Sequence, residues 1–198
     1  MTADGSFDVE RSAMPKYSAG LLPFRLVSVG EKRWVEVFIV HPGGPFWAKK
    51  DDGAWSIVKG EYDPEIESDP TQVAMREFRE ETGQDSPTGD WLPLGELKQP
   101  SGKRVVAWAV SGDVDASAVV SNSFEMEWPP KSGSKQLFPE VDRGAWFPVG
   151  TARAKILKGQ TTFLDALMVS ISTISGPGFE EIGDAIERDP MNGPTSLF

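Results

Sequence analysis

Three carboxylates dominate the chemistry available to this chain. Glu77 stands three residues before Glu80 and four before Glu81, spacings that put all three side chains on one face if the segment is helical. Like charges so arranged repel, and Arg76, four before Glu80, offers one compensating pair. Such a face is either solvated surface or a site for a hard divalent cation, because Mg2+ and Mn2+ prefer oxygen ligands and offset the repulsion. Counting residues removes other chemistries. The 198 residues include no cysteine and one histidine, so a structural zinc site and a cysteine nucleophile are excluded, and a Ser-His-Asp hydrolase would have to use His41. The acids are concentrated: residues 61–85 hold nine Asp or Glu and two Arg, a net −7, leaving −3 for the other 173. A total of −10 argues against a nucleic-acid polymer or an anionic membrane as partner. The apolar runs Trp34 to Val40 and Val105 to Val110 fall well short of the roughly 20 residues that cross a bilayer. With acids and no apolar core near the N-terminus, the expected location is the cytoplasm.

The glutamates need a helix, and one is well marked. Asp69 suits the N-cap, Pro70 the first position, Gln72 the capping-box position and Gly83 a left-handed end. Val73, Ala74 and Phe78 supply a narrow apolar stripe. Upstream, Tyr17 to Val29 and Trp34 to His41 read as a β-hairpin, and Ala54 to Val58 as a strand entering Lys59-Gly60. Downstream, Lys103 to Val110 and Trp146 to Val149 read as strands, Thr151 to Leu157 and Thr162 to Ile171 as helices, and Phe124 to Pro139 as an irregular loop rich in Pro, Gly, Ser and Lys. The organisation expected is a flexible leader over 1–15, one domain over 16–172, and an extension over 173–198 with one short acidic helix from Phe179 to Arg188. A chain of this size buries about 70% of its unfolded surface in a single core.

Gly60, the run of acids, and then Arg76-Glu77-Phe78-Arg79-Glu80-Glu81-Thr82-Gly83 resemble the Nudix box, G-x5-E-x7-R-E-U-x-E-E-x-G-U with U apolar. The R-E-U-x-E-E-x-G portion agrees at every specified position. Gly60 to Arg76 is two residues longer than the pattern, so Glu67 or Glu65 takes the early glutamate position, and Gln84 replaces the final apolar residue. The resemblance spans about residues 15–172 and, within the family, looks like a bacterial subgroup of predicted nucleoside triphosphate pyrophosphohydrolases. It implies an α/β fold, the Nudix α/β/α sandwich with a mixed sheet and a loop-helix-loop at the box. It also implies Mg2+, with Mn2+ as the alternative. Glu81 would be the principal metal ligand, helped by Glu80 and the Lys59 carbonyl; Glu77 would ligate metal or act as base on the attacking water; Arg76 would orient the glutamates. A distal acid would complete the set, with Glu125, Glu127 and Glu140 as candidates and Glu127 preferred.

The activity so implied is hydrolysis of the pyrophosphate bond in a nucleoside diphosphate linked to another group, with nucleoside triphosphates, including oxidised ones, as the leading class. Cleavage of dinucleoside or diphosphoinositol polyphosphates is the enzymatic alternative, and a non-catalytic nucleotide-sensing module the alternative of another class. Lys49, Lys50, Lys131, Lys135, Lys103 and Arg104 are candidate phosphate contacts, each also readable as a solvated cation. Trp34, Trp108 and Trp146 lie in strand-like runs and are expected in the core, whereas Trp47 and Trp128, in loops with Gly, Pro and Lys, are candidates for stacking on a substrate ring. The partner expected is a small-molecule nucleotide or other diphosphate, and a homodimer is compatible with the sequence.

Overall fold

The computed structural model describes residues 16–99, 102–181 and 195–196. In chain order the elements are β1 (Tyr17–Val29), β2 (Lys32–Pro42), β3 (Val58–Tyr62), α1 (Pro70–Thr82), β4 (Trp91–Lys98), β5 (Arg104–Ser111), β6 (Ser123–Glu127), β7 (Lys135–Pro139), β8 (Val141–Pro148), α2 (Val149–Lys155), α3 (Thr161–Ser175) and β9 (Thr195–Ser196). The expected leader over 1–15 and most of the expected 179–188 helix lie outside the described residues. Phe179 and Glu180 are not helical, and Glu180 bridges to Trp34.

The sheet is built around β1. Its second half pairs antiparallel with β2, from Phe24↔Val37 to Val29↔Lys32, as the expected hairpin. On the same edge its first half pairs with β3, from Tyr17↔Tyr62 to Leu21↔Val58. On the opposite edge β5 runs parallel from Tyr17↔Arg104 to Phe24↔Ser111, and β9 pairs with Val27 and Ser28. Strands β4 and β8 lie outermost in the order β4-β5-β1-β2-β8.

Alternation along β1 and β2 sends apolar side chains to two cores. Leu22, Phe24, Leu26, Val35, Val37 and Ile39 face α2 and α3, packing with Val149, Ala152, Phe163, Leu164, Leu167 and Ile171. Ala19, Leu21, Phe38, Val40 and Val58 face α1, packing with Val73, Ala74 and Phe78. The architecture is therefore an α/β/α sandwich with a mixed sheet.

Three local features depart from expectation. Strand β4 was hidden by Pro93 and Gly95; the chain accommodates both through a register shift between them, with Gly95 at φ 87°, on an edge strand that needs one fewer row of hydrogen bonds. The segment 124–139 is not irregular but a two-stranded hairpin, β6 with β7, paired from Ser123↔Pro139 to Glu127↔Lys135. Its turn formers fall between the strands and masked their alternation. The strand expected over 54–58 begins instead at Val58, while Ser56 makes a single bridge to Val40.

Candidate active site

Helix α1 starts and stops where its sequence dictates. The Asp69 carboxylate accepts from the Thr71 backbone N–H at 2.9 Å, and Gly83, at φ 73°, donates to the Arg79 carbonyl at 2.8 Å. Between these caps the helix lays Val73, Ala74 and Phe78 on the sheet and carries Glu77 down with them, 8% exposed. Glu77 reaches that depth because Gly60 has no side chain: a Cβ there would overlap the Glu77 carboxylate. Arg76 gathers three acids. Its Nη1 donates to Glu77 Oε1 at 2.7 Å and to Glu80 Oε2 at 3.0 Å, while Nε and Nη2 meet the two oxygens of Glu67 at 3.2 and 3.3 Å. Of the two candidates for the early glutamate, Glu67 therefore joins the cluster. Glu65 stays outside it, its backbone N–H bonding Asp63.

Glu81 lies deeper in electrostatic terms. The Lys59 backbone N–H donates to its Oε2 at 3.1 Å, yet loss of solvent pushes the carboxyl up to about 7, opposed by the Lys59 charge and reinforced by Glu77 and Glu140. Desolvation also raises Glu77, against the pull of Arg76, with Glu80 and Glu140 again pushing it up. Of the three distal candidates, Glu140, exposed itself, is the one whose charge bears on both Glu77 and Glu81. A backbone relay fixes it there: Gly43 N–H donates to the Glu140 carbonyl at 2.9 Å, Glu140 N–H to Asn122 at 2.8 Å, and Asn122 N–H to the Glu80 carbonyl at 3.0 Å.

Glu127, the distal acid preferred from sequence, is turned elsewhere: its Oε1 accepts from Gly133 N–H at 2.8 Å within its own hairpin. Glu125 pairs with Lys135 at 2.6 Å. No local sequence signal favoured Glu140, which directly follows Pro139 at the end of the segment read as an irregular loop.

The aromatic and basic candidates scatter. Trp47 packs against the core on the α3 side, with the Lys50 ammonium 4.5 Å from its ring centre, so both are drawn away from α1. Trp128 meets Phe46 edge-on at 5.3 Å. Phe46, not singled out from sequence, is 58% exposed and follows the Gly43-Gly44 turn that packs on Phe124 and Pro139. Lys131, in the hairpin turn, and Lys49 are exposed. Lys103 is paired with Glu61 at 2.9 Å and Arg104 with Glu96 at 2.5 Å. His41 is fully buried, its ring nitrogens against Asp142 Oδ1 at 2.8 Å and the Lys50 carbonyl at 2.9 Å, which leaves neither free to serve as a base.

The arrangement fits a hard cation in chemistry and charge, with crowded carboxylates poor in solvent and one arginine among them. Among the described residues no three acidic or histidine side chains converge into a complete ion cage. The sequence profile of the NUDIX domain matches residues 28–167. The chain belongs to the NUDIX domain family. Membership makes it a pyrophosphohydrolase of a family that uses divalent metal ions. Solved Nudix structures share its fold: a mutT/nudix family protein from Listeria innocua (16% identity, 80% of this chain and 96% of that one, TM-score 0.52) and an Ap4A hydrolase from C. elegans in a binary complex (19%, 79% and 99%, TM-score 0.51). The NUDIX domain of Shewanella oneidensis NrtR, solved with ADP ribose, is similar at 14% identity over 84% of this chain and 94% of that one, TM-score 0.50. No curated protein matches the chain significantly. No helix among the described residues is long and apolar enough to cross a membrane.

Proposed function

We propose that this Nudix protein hydrolyses the pyrophosphate linkage of a nucleoside diphosphate carrying a further group, with nucleoside triphosphates, oxidised ones included, as the leading substrate class. The observation that carries the reading is the pair of desolvated box glutamates, Glu77 and Glu81, with Arg76 paired to the first of them and the charge of the exposed Glu140 bearing on both. Ap4A and ADP ribose, named with two proteins of the same fold, both contain such a linkage. A cytoplasmic setting rests on the sequence alone.

Glu81, the carboxylate most destabilised as an anion, is the principal ligand for Mg2+ or Mn2+, with Glu77, Glu80, Glu140 and the Lys59 carbonyl completing the protein's share. Bound there, the ion supplies charge neutralisation of the diphosphate and acidification of water. Arg76 keeps Glu77 and Glu80 oriented through its paired nitrogens. A carboxylate of the set takes the proton of the attacking water; the water oxygen bonds one phosphorus as the bridging P–O bond breaks, and two phosphate-ended products leave. Phe46 and Trp128, on the loop and hairpin that flank Glu140, offer apolar faces to the nucleoside end, and Lys131 and Lys49 offer exposed charge to distal phosphates.

The test is a panel of nucleoside triphosphates, ADP ribose and Ap4A with Mg2+, run on the wild type, Glu140→Gln and Glu127→Gln. Phosphate-ended products from at least one substrate are expected, cut at least ten-fold by Glu140→Gln and little by Glu127→Gln. Nucleotide binding without any hydrolysis would favour the sensing module instead, and the reverse order of the two variants would return the distal role to Glu127.

A further inference from the structure

A second cleft lies on the opposite flank of α1. Successive helical residues turn by about 100°, so Met75 and Glu77 point roughly 160° apart. Met75 leads into a cavity of about 440 Å³ lined also by Trp91, Trp108, Pro93, Ser86 and Thr88, within the roughly 300–1,000 Å³ typical of small-molecule sites. It exists because the two layers are unequal: α3 covers β4 on one face of the sheet, whereas α1 ends its cover short of β4 and β5 on the other, leaving the two tryptophans half-buried with ring centres 6.1 Å apart.

The lining fixes the chemistry of the occupant. No charged side chain lines the cleft. A phosphate would find no cation there. The indole N–H groups of Trp34, Trp55 and Trp146 each have a protein acceptor. Among the described residues those of Trp91 and Trp108 have none, nor are the Ser86 and Thr88 hydroxyls engaged, and none of these atoms is sealed from solvent. Flat apolar walls with accessible donors match a planar ring bearing acceptor atoms. We propose that the Trp91–Trp108 cleft is a binding site for an uncharged heteroaromatic ring of nucleobase type, separate from the carboxylate site.

Titration of the full chain with adenosine, guanosine, cytidine and uridine, followed by the indole N–H resonances, tests this. At least one nucleoside should saturably shift the Trp91 and Trp108 signals at up to about 5 mM, the affinity range of weak small-ligand sites, and leave those of Trp34, Trp55 and Trp146 in place. Met75→Glu, at a 39% exposed helix position, should weaken that binding at least ten-fold while keeping hydrolysis, and Glu81→Gln should leave the binding unchanged. Absence of saturable shifts at Trp91 and Trp108 with all four nucleosides overturns the proposal. So does binding that survives Met75→Glu, or binding lost in a folded Glu81→Gln, which would put the ring in the hydrolytic site.

Discussion

On one face of the sheet α3 buries Phe163, Leu164, Leu167 and Ile171, each no more than 2% exposed; on the other α1, nearly as long, buries Val73, Ala74 and Phe78 and sinks a carboxylate beside them. Full burial of a large apolar side chain stabilises by about 1.5–3 kcal/mol, so the α3 layer supplies more cohesion from a similar length of helix. The α1 layer carries the opposite load, glutamates held apart from water near other glutamates. Stability and chemistry are thus assigned to different faces, and changes on each should read out differently.

Several substitutions test that division, in descending size. Glu81→Gln should lower kcat by about 10²–10⁴-fold, the range for loss of a proton-handling group, while thermal unfolding without metal shifts upward. Phe163→Ala should cost about 3–5 kcal/mol in denaturant unfolding and leave turnover per folded molecule unchanged; a matching loss of turnover would mean the faces are coupled. Gly60→Ala should push the buried, Arg76-paired Glu77 carboxylate out of place, so kcat should fall well over ten-fold while unfolding costs about 1–3 kcal/mol.

A pH effect follows from Glu81. With its carboxyl raised from 4.5 to about 7, the folded metal-free protein holds more protons than the unfolded chain between those values. Its stability should therefore fall as pH rises through that window and level off above it. Melting curves from pH 4 to 8 check this, and Glu81→Gln should flatten the slope, leaving the smaller part that the raised Glu77 carboxyl contributes. Lys103→Ala, which breaks an exposed pair with Glu61, should change stability by less than about 0.5 kcal/mol and leave kcat unaltered.

What the sequence made legible was local. Caps, apolar stripe and glutamate spacing of α1 all act within one helix, and the β1–β2 hairpin within one turn, so residue order alone carries them. Glu140 was not legible in the same way: it reaches the site through backbone bonds to Gly43 and Asn122, partners far away in the chain. Glu67 rather than Glu65 could be selected only once the loop before α1 had folded back on Arg76. Trp47 and Trp108 both end half-buried against a core, the first despite its loop and the second open on one side despite its strand. A loop tryptophan can reach a core, and a strand tryptophan near a sheet edge meets open space when the covering helix stops short.

Strand β1 has a further consequence, in the order of assembly. Its β2 partner is a turn away, but its parallel partner β5 begins at Arg104, 87 positions after Tyr17, and such distant pairings close late because the intervening loop must first be ordered. Synthesis runs from the N-terminus, so α1 leaves the ribosome before β5 and before Glu140 are available. The nascent chain therefore carries its glutamates on a helix whose floor is unfinished, and capacity for hydrolysis arrives only when the second half of the polypeptide has been made.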